Sequence, residues 1–170
     1  LCYHHGSVDR SGATELLALF AEVAAECGLG TCIEPIAMGG TATLPDAAEL
    51  IRASGSDARI LFDTWHLVRT GGDVATLASV DPALIGYVQI NDGLIANGPK
   101  TPDEAMAEVA GERVYIGMGE FPLADLLRIT PKDIPWGVET PSVSRAARGM
   151  SAEDQGREAM ACMRGLLAQL

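Results

Sequence analysis

The chain has 170 residues, of which 48% are hydrophobic and 21% are charged, and this suits one globular domain with a substantial core. Its formal net charge of −11 argues against a nucleic-acid partner, because proteins that bind the phosphate backbone concentrate Lys and Arg. No apolar run approaches the roughly 20 residues of a membrane span, and the first residues lack the basic and apolar regions of a signal peptide.

The four cysteines form neither a CxxC pair nor a dense disulfide framework; they are Cys2, Cys27, Cys32 and Cys162. Isolated cysteines of this kind are typical of small core side chains in a reducing compartment. We therefore expect a cytoplasmic protein.

Short apolar strands alternate with helices along the chain. Helices are predicted over 11–27, 44–54, 73–80 and 123–129, and a last helix follows the capping box that begins at Ser151. The first helix carries apolar residues with a 3.6-residue period on one face, namely Leu16, Leu19, Phe20, Val23 and Cys27. Strands are predicted near residues 31–35, 60–63, 85–90 and 136–139.

The order of strands and helices indicates an α/β fold. The strands are apolar without alternation, which is typical of parallel strands covered by helices. The chain lacks the GxGxxG and GxxxxGK[ST] motifs of nucleotide-binding versions of this class and the GxSxG motif of hydrolases. The polar segment 93–112 is predicted to be a long loop with one helical turn at 105–109, and such loops are usually functional.

A polar side chain ends each predicted strand: Glu34, Asp63, Gln89 and Glu139. In a βα barrel the active site forms at the carboxyl ends of the strands, where residues from several strands converge. Three carboxylates and one amide oxygen at one point would repel one another without a cation. Because all four ligands are oxygens, Mn²⁺ or Mg²⁺ suits the set best, with Co²⁺ or Zn²⁺ as alternatives. For each residue alone the alternative is a helix cap or a surface carboxylate.

Five stretches of the chain resemble the sugar phosphate isomerase/epimerase family, the xylose isomerase-like TIM barrels. They are IEP at 33–35, FDTWHLVR at 62–69, VQIND at 88–92, GMGEFPL at 117–123 and VE at 138–139. The resemblance implies one domain over residues 1–170 that forms an incomplete (β/α) TIM barrel, about the last four to five βα units of eight. An incomplete barrel would leave an open sheet edge and exposed core residues, which promote association.

The resemblance also implies site residues. The metal ligands would be Glu34, Asp63, Gln89 and Glu139, and His66 would reach the substrate. Arg69 either binds a substrate anion or pairs with one of the many acids, and Arg113 has the same two roles open. We predict Trp65 in the core.

The implied activity is metal-dependent isomerisation or epimerisation of a small keto sugar, polyol or sugar phosphate through an enediolate. Glu34 and Glu139 would move the proton and His66 would bind and shuttle it at the substrate oxygen. Gln89 keeps an alternative open, because Gln at this position also occurs in dehydratases of the family such as 3-dehydroshikimate dehydratase. We expect a carbohydrate-like small molecule as the partner, with no nucleic acid and no membrane, and a homo-oligomer is compatible with the sequence.

Two other classes fit the sequence less well. A DNA-repair endonuclease of the related barrel type needs a His-rich zinc cluster and a basic groove, whereas this chain has three histidines in all. A non-catalytic binding barrel would not need Glu34, Asp63 and Glu139 together at the strand ends.

Overall fold

Four parallel strands form one sheet in chain order in the computed structural model, which describes residues 1–99 and 101–170. The strands are β1 (Cys32–Ile33), β2 (Arg59–Asp63), β3 (Ile85–Ile90) and β4 (Trp136–Val138). The predictions of an α/β fold and of four parallel strands are therefore confirmed, although β1 is shorter than expected. Strands that are parallel and adjacent bring their carboxyl ends to one edge of the sheet.

Eight α-helices connect and cover these strands within the described ranges. They are α1 (Arg10–Glu26), α2 (Leu44–Ser54), α3 (Thr64–Arg69), α4 (Val74–Ala78), α5 (Pro102–Gly111), α6 (Leu123–Ile129), α7 (Val143–Ala147) and α8 (Ala152–Leu167), and a short 3-10 helix spans Pro82–Leu84. None of the helices in residues 1–99 and 101–170 is long and apolar enough to cross a membrane.

Helix α5 corrects the prediction of a long loop with a single helical turn at 105–109. Thr101 accepts the backbone N–H of Glu104, and the Glu104 side chain accepts that of Thr101, which makes a capping box. Pro102 stands in the first turn, where its missing N–H costs nothing. These three residues start a ten-residue helix although the surrounding segment is polar.

The core lies between the sheet and the helices. Ile60 and Phe62 of β2, Val88 of β3, Leu50 of α2 and Leu126 of α6 are all fully buried in it. Burial of one such side chain contributes about 1.5–3 kcal/mol, so this layer holds the sheet and its strand ends in place. Trp65, predicted in the core, is also fully buried.

The apolar face of α1 is exposed. Leu16, Leu19, Phe20 and Val23 are 43–56% exposed, whereas the helix packs inward through its buried residues Ala13, Leu17 and Ala21. Ala13 and Leu17 of this helix belong to the same core cluster as Ile33 of β1. Strand β1 is paired with β2 on one side and, among the described residues, only with Cys2 on the other. The expected open edge and exposed apolar surface are thus found at the β1 end of the sheet.

Asp92 fixes the loops next to the carboxyl end of β3. Its buried carboxylate accepts four backbone N–H groups at 2.9–3.0 Å, from Gly93, Gly117, Gly119 and Phe121. A side chain at residue 119 would put its Cβ 2.3 Å from the Asp92 carboxylate, so only glycine fits there. Asp92 therefore connects the loop after β3 to the turn before α6.

Replacement of Asp92 by Ala should lower the free energy of unfolding by about 2–4 kcal/mol, because buried N–H groups lose a charged acceptor. The matched control is Asp81→Ala, which removes an exposed carboxylate that accepts the Ala83 N–H. The control should cost about 1 kcal/mol. Urea unfolding curves that gave equal losses for the two variants would contradict the scaffolding role of Asp92.

Candidate active site

Asp63 ends β2 and begins α3. Its Oδ1 accepts the backbone N–H groups of Trp65 and His66 at 2.7 and 3.1 Å, which makes Asp63 the N-cap of the helix. Asn91 Nδ2 lies 3.2 and 3.0 Å from the two carboxylate oxygens. The helix-cap alternative for Asp63 is therefore correct, but it uses mainly Oδ1 and leaves Oδ2 turned towards other partners.

Asn91 is a residue of the site that the sequence analysis missed. It follows β3 directly, is fully buried, and its backbone N–H donates to Thr64 Oγ1 at 3.0 Å. Thr64 Oγ1 in turn lies 2.8 Å from the Asn91 carbonyl oxygen. This pairing joins the carboxyl ends of β2 and β3 and holds Asn91 against Asp63. A buried strand followed by Asn-Asp was the signal in the sequence.

Arg113 is the second residue whose role the sequence analysis did not identify. Its Nη1 donates to Asp63 Oδ2 at 2.7 Å and lies 2.9 Å from Glu139 Oε2. Its Nε donates to the Val109 carbonyl at 3.2 Å, and its guanidinium carbon lies 5.6 Å from the centre of the Trp65 ring. With only 3% of the side chain exposed, Arg113 is the cation that balances the buried Asp63.

Glu34 and His66 form the other side of the site. Glu34 Oε1 lies 3.6 Å from His66 Nε2, and the backbone N–H of Ala37 donates to His66 Nδ1 at 3.1 Å. A neutral imidazole that accepts at Nδ1 carries its proton on Nε2, so this proton faces Glu34. Burial lowers the pKa of His66 to about 4. Burial, and then the charges of Asp63 and Glu139, raise the pKa of Glu34 to about 7.

Gln89 and Glu139 complete the set of strand-end side chains. Gln89 lies beside Asp63 in the register of β2 and β3, so both side chains project to the same face of the sheet. Gln89 Oε1 is buried and has no hydrogen-bond partner among the described residues. Glu139 Oε2 is also buried, and although Arg113 lies near it the pair lacks the alignment of a hydrogen bond. Burial raises the pKa of Glu139, against the opposing charge of Arg113.

Arg69, unlike Arg113, does not pair with the strand-end carboxylates in the described part of the chain. Its Nη2 lies 2.7 and 3.0 Å from the two Glu108 carboxylate oxygens, and its Nη1 donates to the Leu94 carbonyl at 3.0 Å. The guanidinium also lies 5.5 and 5.3 Å from the ring centres of Trp65 and Phe121. Its charge is thus paired with Glu108 instead of the strand-end carboxylates, and substrate binding by Arg69 stays a prediction.

The residues at the strand ends suit a divalent ion by their chemistry. Three carboxylates and one amide offer oxygen donors, and the buried Gln89 Oε1 has no hydrogen-bond partner in the part of the chain that the structure describes. Within the part of the chain that the structure describes, however, no three His, Cys, Asp or Glu side chains are already arranged as a metal centre. Arg113 lies between two of the acids. The four side chains thus fit a metal by the chemistry of their donor atoms. Arg113 would have to move before Asp63 and Glu139 could share the ion.

Glu34 should make the stability of the metal-free protein depend on pH. The unfolded chain loses the Glu34 proton near the ordinary pKa of 4.5, whereas the folded protein keeps it to about pH 7. The folded state thus binds more protons in this window, and the contribution of Glu34 to stability is lost as pH rises through it. The stability of Glu34→Gln should rise relative to wild type, by up to about 1.4 kcal/mol per pH unit from pH 4.5 to 7.

Chemical denaturation in the presence of a chelator measures this difference at several pH values. The matched control is Glu49→Gln, which changes an exposed carboxylate and should run parallel to wild type. A constant difference between Glu34→Gln and wild type across the window would show that the pKa of Glu34 is not raised.

The profile of the family described as xylose isomerase-like TIM barrel matches residues 5–166. A search of curated proteins finds no match.

Among solved structures, the IolI protein with a bound zinc atom has a TM-score of 0.78 at 16% identity, over 99% of this chain and 62% of that chain. A D-psicose 3-epimerase from Clostridium cellulolyticum H10, with D-tagatose, has a TM-score of 0.65 at 14% identity, over 95% of this chain and 58% of that one. A probable 3-DHS dehydratase, AsbF from Bacillus anthracis, has a TM-score of 0.66 at 16% identity, over 86% and 58%.

These similarities concern the fold, because all three identities are low. The chain spans less than two thirds of each of these proteins, and its four strands correspond to part of the eight-stranded barrel architecture. The expectation of a TIM-barrel segment is thereby confirmed. With a family profile that matches nearly its whole length, the chain belongs to the xylose isomerase-like TIM barrel family.

Proposed function

We propose that the protein is a divalent-metal-dependent isomerase or epimerase that acts on a small keto sugar, polyol or sugar phosphate. One observation carries the proposal: the buried Oε1 of Gln89 and Oε2 of Glu139 have no hydrogen bond among the described residues, at the strand ends beside the buried Asp63 and the partly buried Glu34. Buried polar oxygens without hydrogen bonds are rare in stable folds and point to a missing partner. Family membership and the similarity to an epimerase support the same reading.

The metal would be held by Glu34, Asp63, Gln89 and Glu139. Mn²⁺ or Mg²⁺ suits four oxygen donors best, and the zinc atom of the similar IolI structure keeps Zn²⁺ and Co²⁺ open as alternatives. When bound, such an ion polarises a substrate carbonyl and stabilises the negative charge that develops on its oxygen.

The two glutamates that follow the outer strands would transfer the proton. Glu34 follows β1 and Glu139 follows β4, so they approach the site from opposite sides of the described sheet. One carboxylate would take the proton from the carbon next to the carbonyl, and the other would return a proton to the opposite face or to the neighbouring carbon. The first outcome is epimerisation and the second is isomerisation.

His66 would bind the reacting oxygens of the substrate. Its Nδ1 is fixed by the Ala37 N–H, which leaves Nε2–H to donate a hydrogen bond into the site. A neutral imidazole held in this way can donate one proton to a substrate oxygen and recover another. Arg69, if released from Glu108, would bind an anionic part of the substrate.

A dehydratase of a cyclic hydroxyketone is the second candidate, and Gln89 favours it. Gln at this ligand position resembles the dehydratases of the family, and a probable 3-DHS dehydratase is among the similar structures. In this reaction a glutamate removes the proton next to the carbonyl, and the β-hydroxyl leaves as water with a proton from His66. The product is a conjugated enone.

Incubation of the full-length protein with keto sugars in D₂O, with Mn²⁺ present, separates the candidates. We expect deuterium at the carbon next to the carbonyl without loss of water. Glu139→Gln should lower this exchange by about 10²–10⁴-fold, because the amide cannot accept the proton. The control is Glu153→Gln, which changes an exposed carboxylate paired with Arg157 and should exchange at the wild-type rate.

The other outcomes are equally decisive. A new enone absorbance with a hydroxyketone substrate would replace the isomerase by the dehydratase. Full-length protein that contains no divalent metal by elemental analysis, together with undiminished exchange in Glu139→Gln, would contradict the metal-dependent mechanism in both forms.

A further inference from the structure

We propose that Arg113 is the resident cation of the strand-end site: its guanidinium bridges Asp63 and Glu139 when no metal is bound, and a metal ion must displace it. The inference rests on the metal site of the proposed function and adds a competitor to it. Because Arg113 is part of the protein itself, it competes with the metal for Asp63 and Glu139 at every metal concentration.

Arg113 contacts two of the strand-end carboxylates at once. A single nitrogen, Nη1, lies 2.7 Å from Asp63 Oδ2 and 2.9 Å from Glu139 Oε2, so one positive group already serves two of the four side chains that the metal would need. The Asp63 side chain has no exposed surface, so the Arg113 guanidinium and not bulk solvent balances its charge. Without metal, loss of Arg113 would leave a buried carboxylate without a cation.

The two contacts of Arg113 differ in their hydrogen-bond alignment. The contact with Asp63 is an aligned hydrogen bond, whereas the contact with Glu139 is not, and the buried Glu139 Oε2 has no hydrogen bond within residues 1–99 and 101–170. A guanidinium thus compensates the charge of the pair without satisfying all of its oxygens. The unbonded Gln89 Oε1 receives nothing from Arg113 either. A small divalent ion bonds to oxygens in several directions and can satisfy both groups.

The arginine bridge and metal binding are linked energetically, because both use Asp63 and Glu139. If the bridged state is favoured, the apparent metal affinity is reduced by the fraction of protein in which the bridge is open. Removal of Arg113 should therefore strengthen metal binding and weaken the metal-free fold. A merely structural arginine would weaken the fold and leave the metal affinity unchanged, and an arginine that supports the metal site would weaken both.

The test uses the full-length protein with Arg113→Met, which keeps most of the aliphatic length and removes the charge. Mn²⁺ binding is followed by the electron paramagnetic resonance of the free ion, and thermal unfolding is measured in EDTA and in saturating Mn²⁺. We expect Arg113→Met to bind Mn²⁺ at least tenfold more tightly than wild type, about 1.4 kcal/mol. Its Tm should be lower than wild type in EDTA, and this deficit should shrink in Mn²⁺.

Two further variants make the result specific. Arg145→Met removes an arginine that pairs with Glu158 and stacks on Tyr115, and it should lower the Tm without changing Mn²⁺ affinity. Arg113→Lys keeps the charge but not the planar fork, so its affinity should fall between wild type and Arg113→Met. If Arg113→Met is unfolded in EDTA, recovery of its circular dichroism on addition of Mn²⁺ supports the proposal.

The outcomes separate this proposal from the function on which it rests. Mn²⁺ binding by Arg113→Met alone, with none by wild type, supports the competition in its strongest form. Equal or weaker binding by both Arg113 variants, with normal binding by wild type, overturns the competition and leaves the metal site intact. No binding by any of the proteins overturns the metal site and the competition together.

Discussion

The buried charge of Asp63 is the constraint on which the strand-end site depends. A carboxylate without exposed surface has to be compensated where it stands, and the chain provides three kinds of partner for it. Two backbone N–H groups at the start of α3 and the amide of Asn91 satisfy its lone pairs, and Arg113 balances its charge. Each of these partners comes from a different segment, so this one charge draws together β2, the end of β3 and the segment after α5.

The same set of contacts allows Asp63 to support the fold and to belong to the proposed site. As the cap of α3, Asp63 sets the direction in which the helix leaves the sheet, and this places His66 beside Glu34. The cap uses Oδ1, while Oδ2 faces Arg113 and the neighbouring Glu139. A carboxylate fixed on one side by backbone groups is preorganised on the other, which is the property that a metal ligand or catalytic group needs.

Much of the fold follows from local features of the sequence. Mainly apolar segments at 60–63 and 85–90 marked β2 and β3, and the capping box that begins at Ser151 marked the start of α8. The face of α1 was harder, because periodicity identifies an apolar face but not the surface it will meet. In this structure small residues pack inward and Leu16, Leu19 and Phe20 stay exposed.

The acids of the candidate site could be predicted from the sequence, but the cation that balances them could not. Acids at strand ends can be found from the alternation of strands and polar residues, and Glu34, Asp63 and Glu139 were. Arg113 lies 50 residues from Asp63, on a segment whose position depends on the capping of α5, so no local pattern relates the two. Asn91 likewise acquires its role only when β2 and β3 pair and place it against Asp63.

Anomalous scattering from a crystal of the full-length protein grown with Mn²⁺ tests the central claim most directly, that these strand ends form a cation site now balanced by an arginine. The account predicts one peak about 2.0–2.6 Å from oxygens of Glu34, Asp63, Gln89 and Glu139. It also predicts that the Arg113 guanidinium is withdrawn from Asp63 Oδ2. A peak elsewhere, or none, with Arg113 still bridging Asp63 and Glu139 at saturating Mn²⁺, would contradict it.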